Sequence, residues 1–107
     1  MTAYAIAVIH KTQFDPEIKE YLNLIDETLA PFSGKYLIHG GPYVPLEGTW
    51  SSDLVVIGFP SMEHAKGWYE SEAYQAIRHL RTKHTQGEVL LVQGVPAEHK
   101  ASDLLNR

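Results

Sequence analysis

The sequence contains no cysteine among its 107 residues. Disulfide bonds, zinc–thiolate sites and cysteine nucleophiles are therefore excluded. A reducing cytoplasm is the default location for such a chain. No apolar run is longer than a strand, so we expect no membrane-spanning helix. The start of the chain also lacks the basic segment and long apolar core of a secretory signal.

The chain also has no strong excess of either charge and none of the common cofactor-binding motifs. Nine Lys and Arg residues stand against 13 Asp and Glu residues, giving a net charge of −4, and no basic patch predicts a nucleic acid partner. Gly40-Gly41-Pro42 follows a strand but precedes no helix, so it is not a dinucleotide or Walker phosphate loop. The six histidines show no metal-ligand spacing. We therefore expect no cofactor and no metal.

The first third of the chain reads as a strand followed by a helix. Residues Ala3 to Ile9 alternate large and small apolar side chains, which predicts a strand covered on both faces. Asp15 is a natural helix cap, and Pro16 suits the first helical position. Pro31 ends the helix. The apolar stripe of this predicted helix consists of Ile18, Tyr21, Leu22, Ile25 and Leu29.

The second strand is predicted at Lys35 to His39, and a long loop runs from Pro42 to Asp53, with a short extended piece around residues 44–47. A loop of this length in a small domain is more often functional than idle. The apolar segment Leu54 to Phe59 predicts the third strand.

The second helical region begins at Ser61, and a second cap at Ser71 predicts a kink. Gly87 is expected to end the region, and Glu88 to Gln93 forms the fourth strand. Residues 1–95 then make up the domain, and residues 96–107 form a polar tail.

This order predicts an α+β fold of the ferredoxin-like type, a β-α-β-β-α-β plait. Right-handed crossovers give a four-stranded antiparallel sheet with two helices on one face. Two of its strands, around residues 54–57 and 89–92, have apolar residues at successive positions. A strand with one face exposed to solvent would instead alternate apolar and polar residues. We therefore expect a homodimer through the sheet faces.

Three segments together resemble the DUF1330 family over about residues 2 to 95: Gly34 to Gly41, Leu46 to Trp50, and Phe59 to Gln75. The resemblance implies a dimeric α+β barrel with a ferredoxin-like protomer. Relatives in that superfamily include cofactor-free monooxygenases, muconolactone isomerase-like enzymes, haem-degrading enzymes and stress-induced dimers. Since the family has no settled reaction, the resemblance implies a fold rather than a function.

His39 and Glu47 are the candidate catalytic residues. His39 ends the second strand beside two glycines, which allow close approach of a ligand. An imidazole there can act as a base, and a loop carboxylate beside the aromatic Trp50 can act as an acid or base. The plain alternatives are a surface histidine at a strand end and a glutamate that caps a turn or pairs with a cation.

The candidate substrate-binding residues are aromatic, with one arginine. Aromatic side chains can line a pocket for a ring compound, or they can simply fill the core, which is the favoured interpretation for Trp68. Cations near the end of the second helical region complement the helix dipole, and Arg78 or Arg81 could instead clamp a substrate carboxylate. The predicted set comprises Trp50, Trp68, Tyr69, Tyr74 and Arg78.

Two functions from different classes follow. The first is a cofactor-independent enzyme, of the isomerase or monooxygenase type, acting on a small organic acid or ring compound. The alternative is a non-catalytic homodimer that binds a small ligand or a protein partner. A third interpretation is a purely structural dimer with a filled interior.

Overall fold

A computed structural model describes residues 1–106 and contains seven principal elements. They are β1 (Ala3–Thr12), α1 (Pro16–Leu29), β2 (Lys35–His39), β3 (Asp53–Phe59), α2 (Met62–Glu70), α3 (Glu72–Thr82) and β4 (Thr85–Gln93). Short 3-10 helices cover Ala30–Phe32 and Ala101–Asn106. The sheet order is β2-β3-β1-β4 with every neighbouring pair antiparallel, which confirms the ferredoxin-like plait. Among residues 1–106, no helix has the length and apolarity needed to cross a bilayer.

All three helix starts are fixed by side-chain caps. The Asp15 carboxylate accepts a hydrogen bond from the Glu17 backbone N–H at 2.9 Å. Ser61 accepts from the His64 N–H, and Ser71 accepts from the Tyr74 N–H, each at 3.2 Å. The cap at Ser71 divides the second helical region into α2 and α3, as its sequence predicts.

The fourth strand begins earlier than predicted. It starts at Thr85 rather than Glu88, because β1 continues to Thr12 and pairs with it beyond a bulge between Ile9 and Lys11. Gly87 lies inside this strand. A Cβ at this position would collide with the Val8 carbonyl oxygen, so the position requires glycine. The glycine therefore permits close strand approach and does not end the helical region. No strand forms around residues 44–47, so that segment is simply loop.

The strand register separates two faces of the sheet. Ala5 lies opposite Ile57 on one side and Leu91 on the other, and these positions face the helices. Ile6 lies opposite Val56 and Leu90, so those three point the other way. We call this second surface the outer face; its side chains are Tyr4, Ile6, Val8, Ile38, Leu54, Val56, Leu90 and Val92.

The core lies between the helices and the sheet near the N-terminal end of β1. Trp68 of α2 is only 3% exposed and packs on Phe59 and Tyr74. Its indole N–H donates to the hydroxyl of buried Thr28 at 2.9 Å, and that hydroxyl donates to the Ile25 carbonyl. A buried indole with a satisfied N–H anchors α2 to α1.

Candidate ligand-binding cleft

A cleft of about 340 Å³ lies between α1 and the helix-facing side of the sheet. Its size is at the lower end of the range for small-molecule sites. Ala5 and Ala7 form part of its floor, and their short side chains leave space that larger residues would fill. Tyr21 and Ile25 of α1 form the opposite wall. The alternation of large and small residues along β1 therefore creates the space.

Three polar groups meet on the wall of this apolar cleft. The hydroxyls of Tyr21 and Tyr74 are 2.8 Å apart and form a hydrogen bond. The Arg81 guanidinium donates to the Tyr74 hydroxyl over a long 3.5 Å and lies 5.9 Å from the centre of the Tyr21 ring. Within residues 1–106, no carboxylate lies within 4.0 Å of the Arg81 guanidinium. The site therefore offers an unneutralised cation beside two hydroxyls.

Burial determines the protonation of this group. Loss of solvent, followed by the neighbouring Tyr74, raises the pKa of Tyr21 well above its ordinary value of 10.0. Burial acts to lower the pKa of Arg81. Tyr74 and Tyr21 together raise this pKa by more than burial lowers it, so the net shift is upward. Tyr21 is therefore a neutral hydroxyl and Arg81 a cation at physiological pH. Such a pair suits a carbonyl or carboxylate oxygen.

His39 lies at the mouth of the same cleft, together with Gly40 and Asp53. Its ring stacks on Tyr36 with the centroids 4.6 Å apart. Burial, with a smaller contribution from Asp26, raises the pKa of Tyr36 to about 12, so its ring stays uncharged beneath the imidazole. The structure places no hydrogen-bonding partner from residues 1–106 on the His39 ring. Its nitrogens are thus available to a ligand.

The cleft collects three of the seven predicted site residues. His39, Trp68 and Tyr74 line it, and Trp68 does so while also serving as the core residue that its helical position favours. Arg78 and Tyr69 lie outside the lining and bind each other, with the guanidinium donating to the phenol at 3.3 Å.

Glu47 and Trp50 also lie outside the cleft. Glu47 is exposed in the loop between β2 and β3, and no hydrogen bond joins it to His39 within the described chain. Trp50 is 41% exposed and packs on Tyr43 at 5.7 Å. The predicted acid–base pair is therefore not assembled in the protomer.

Neither Tyr21 nor Arg81 is distinguished as a cleft residue by the sequence alone. Tyr21 belongs to the apolar stripe of α1, where spacing does not separate a lining residue from a core residue. Arg78 and Arg81 are equal candidates for a carboxylate clamp until the structure places them. The spacing held a usable signal, because Arg81 is seven positions after Tyr74 and so lies two turns along the same helix face.

A second polar cluster lies at the start of α1. The His84 imidazole is 2.8 Å from a Glu17 oxygen and 3.6 Å from an Asp15 oxygen, and the three groups could hold a metal ion. The positive end of α1 and the nearby Lys83 both oppose a cation there. The hydrogen bond from His84 is the main cause that lowers the pKa of Glu17. We therefore interpret the cluster as a hydrogen-bonded link between α1 and the turn before β4.

Solved structures with the same fold are found at low sequence identity. The methylated RPA0582 protein, of unknown function and from Rhodopseudomonas palustris, aligns with a TM-score of 0.68 and 9% identity, covering 92% of this chain and 84% of its own. A dimeric ferredoxin-like protein of unknown function from Jannaschia sp. CCS1 aligns with a TM-score of 0.63 and 10% identity, covering 88% and 100%.

A third neighbour has a described activity. SnoaB, a cofactor-independent oxygenase from Streptomyces nogalater, aligns with a TM-score of 0.61 and 8% identity, covering 92% of this chain and 98% of its own. At such identities the likeness establishes the fold alone. No curated protein matches this sequence. The model of the domain of unknown function DUF1330 matches residues 2–95, and the chain therefore belongs to the DUF1330 family.

Proposed function

We propose that this protein is a cofactor-independent enzyme that binds a small ring compound or organic acid in the cleft. The observation that carries the proposal is the Tyr21–Tyr74–Arg81 group on the wall of an otherwise apolar cleft. Apolar walls favour a ring, and one cation with two hydroxyls favours a single carbonyl or carboxylate oxygen. The fold shared with a cofactor-independent oxygenase is compatible with this chemistry.

The polar group acts by stabilising negative charge on that oxygen. When a proton leaves the carbon beside a carbonyl, charge moves to the oxygen and an enolate forms. The cationic Arg81 and the hydroxyl of Tyr74 would then bind the enolate more strongly than the ketone. His39 at the mouth is the proposed acceptor of the proton.

The enolate has two possible fates. If the proton returns to a different carbon, the reaction is an isomerisation. If the enolate reacts with O₂, a CH₂ group becomes a carbonyl and one molecule of water is released, with O₂ as the oxidant. Both reactions use the same first step, so a test of proton removal covers both.

We further propose that the protein is a homodimer through the outer face. Leu90 is 51% exposed, and Val92 and Ile38 are each 40% exposed, although all three are apolar. Strands that are apolar on both faces need cover on both. Two of the neighbouring structures are described as dimeric ferredoxin-like proteins. We propose that residues 1–95 form the dimerising domain and that residues 96–107 are an appended tail.

Deuterium exchange tests the enolisation directly. The protein is incubated with 2-tetralone, an enolisable ring ketone, in D₂O, and proton NMR follows loss of the hydrogens beside the carbonyl. An oxygen electrode run in parallel detects oxygenation. We expect exchange or O₂ uptake above the buffer rate, with a drop of at least about tenfold in Arg81→Gln and His39→Ala.

Binding without turnover is the second candidate. One observation favours it: within residues 1–106, the only carboxylate lining the cleft is the exposed Asp53 at its mouth. Ligands such as 2-naphthoate would then raise the melting temperature without being altered. Thermal stabilisation with neither exchange nor O₂ uptake across a panel of ring ketones and acids contradicts the enzyme proposal and supports this alternative.

A further inference from the structure

The loop between β2 and β3 is anchored at both ends. The Gly40 N–H donates to the Leu54 carbonyl at 2.9 Å, and the Leu54 N–H donates to the Tyr43 hydroxyl at 2.8 Å. Trp50 packs on the Tyr43 ring on the return side. The segment between these anchors is therefore held in place at its base.

The tip of this loop touches little of its own protomer. Val44 is 80% exposed and Leu46 is 89% exposed, and Glu47 beside them is also exposed. Two apolar side chains held in water next to a carboxylate are unusual for an anchored loop, and such surfaces mark contacts with another molecule.

The mouth of the cleft is a second uncovered apolar surface. Phe14 is 89% exposed, Leu22 is 48% exposed and Val89 is 38% exposed, and all three line the cleft. The interior carries the cation of Arg81 without a carboxylate from the described chain. The loop tip offers the mouth apolar cover, and Glu47 would add a second carboxylate beside Asp53.

The topology shows how a second copy would bring the two surfaces together. In the order β2-β3-β1-β4, a two-fold axis that runs along the strands between the outer faces places β2 of one copy beside β4 of the other. Both clefts then open at the same end of the dimer. The loop leaves β2 at that end, because His39 and Gly40 belong to the cleft mouth.

The distances allow this contact. Stacked sheets lie about 10 Å apart, and four extended residues span roughly 13 Å. Gly40 has a positive φ and is not extended, but Glu47 lies seven residues beyond Gly40, so the loop tip has more chain than the gap between the sheets requires. In the same arrangement, β2 of one copy lies over β4 of the other in antiparallel orientation.

We propose that the loop tip of each subunit covers the cleft of the other, so that Glu47 of the partner subunit completes the site. This inference rests on the proposed function for the importance of the cleft. It explains why the carboxylate predicted as an acid–base residue lies outside the cleft of its own chain. The occupant is a second copy of this chain, and a site lacking it is open and short of one carboxylate.

The absence of cysteine allows a clean cross-linking test. Tagged Glu47→Cys protein is mixed with untagged Val89→Cys protein, allowed to exchange subunits, and treated with a short bismaleimide. The matched control is Lys35→Cys, at the opposite end of β2. This residue approaches the loop of the other subunit only if the two-fold axis runs across the strands. Thiol titration first checks that each cysteine is equally reactive.

We expect a mixed cross-linked dimer with Val89→Cys, in at least about tenfold greater yield than with Lys35→Cys. Equal yields, a preference for Lys35→Cys, or no mixed product from reactive thiols would overturn the inference. The test does not depend on turnover. A positive cross-link with no deuterium exchange would count against the proposed reaction while leaving the shared site intact.

Discussion

The two faces of the sheet are both apolar, yet they are covered to different degrees. On the helix face, Ala5 and Ile57 are buried beneath the helices, and a cleft remains where β1 carries alanines opposite α1. On the outer face, Leu90 and Val92 are exposed along their strand. The same strands thus supply a partly filled interior on one side and an uncovered surface on the other.

The difference shows how side-chain size assigns a role to each face. Small residues at Ala5 and Ala7 create a cavity under a helix, which suits a small ligand. Large residues at Tyr4, Ile6 and Val8 create a continuous surface, which suits a second protein. One strand therefore carries both patterns in alternate positions.

The largest effect is expected from a charge on the outer face. Leu90→Glu changes an exposed residue, so the single protomer should tolerate it within about 0.5 kcal/mol. In a dimer the two-fold axis buries two such charges, each costing about 3–5 kcal/mol when unpaired. We expect sedimentation to show loss of the dimer, while the matched Leu105→Glu in the tail keeps it. An intact Leu90→Glu dimer would place the interface elsewhere.

The next largest effect is expected in the core on the helix face. Trp68→Ala removes a 3%-exposed indole and its hydrogen bond to Thr28. We expect a loss of about 3–5 kcal/mol in the free energy of unfolding, measured in urea. Trp50→Ala, at the base of the loop, is the comparison and should cost far less in the protomer. Equal costs would contradict the assignment of Trp68 to the core.

A smaller effect is expected from the tyrosine pair. Tyr74→Phe leaves the buried Tyr21 hydroxyl without its partner, which costs about 1–3 kcal/mol. It should also weaken 2-naphthoate binding, followed by calorimetry, and leave the dimer unchanged. Tyr4→Phe on the outer face is the matched control and should leave ligand affinity unaltered. A Tyr74→Phe variant with wild-type affinity would remove this hydroxyl from the site.

The smallest effect concerns the hydrogen bond between Glu17 and His84 at the start of α1. The pKa of Glu17 is lowered from 4.5 in the folded protein, so its contribution to stability is present above that pH and lost as the pH falls through the lower folded value. Glu17→Gln should therefore flatten the fall in melting temperature below pH 4.5. If the melting temperatures of wild type and variant fell equally below pH 4.5, the contact between Glu17 and His84 would make no contribution to stability.

The fold was predictable because its signals are local. Asp15, Ser61 and Ser71 cap helices where a side-chain oxygen meets a free N–H, and that needs no tertiary context. The start of β4 was missed because Gly87 resembles a helix end. Only the pairing across the β1 bulge makes a glycine necessary there.

The site was predictable only in part, because a cleft depends on packing between distant elements. His39 and Tyr74 carry recognisable chemistry, and both line the cleft. Tyr21 and Arg81 are 60 positions apart in the sequence, and they belong to the site because the packing of α1 and α3 brings them into contact. No periodicity in one helix reports on that contact. In the arrangement that we propose, Glu47 reaches a cleft only through a second copy of the chain, and no pattern within one protomer reports on that contact.

Sedimentation equilibrium of the wild-type protein at micromolar concentration tests the central claim most directly. The claim is that the outer face binds a second copy and leaves the cleft on the helix face for a small ligand. The account predicts a mass twice that of the 12.0 kDa chain. A mass of one chain would leave the outer face uncovered and contradict the proposed division between the two faces.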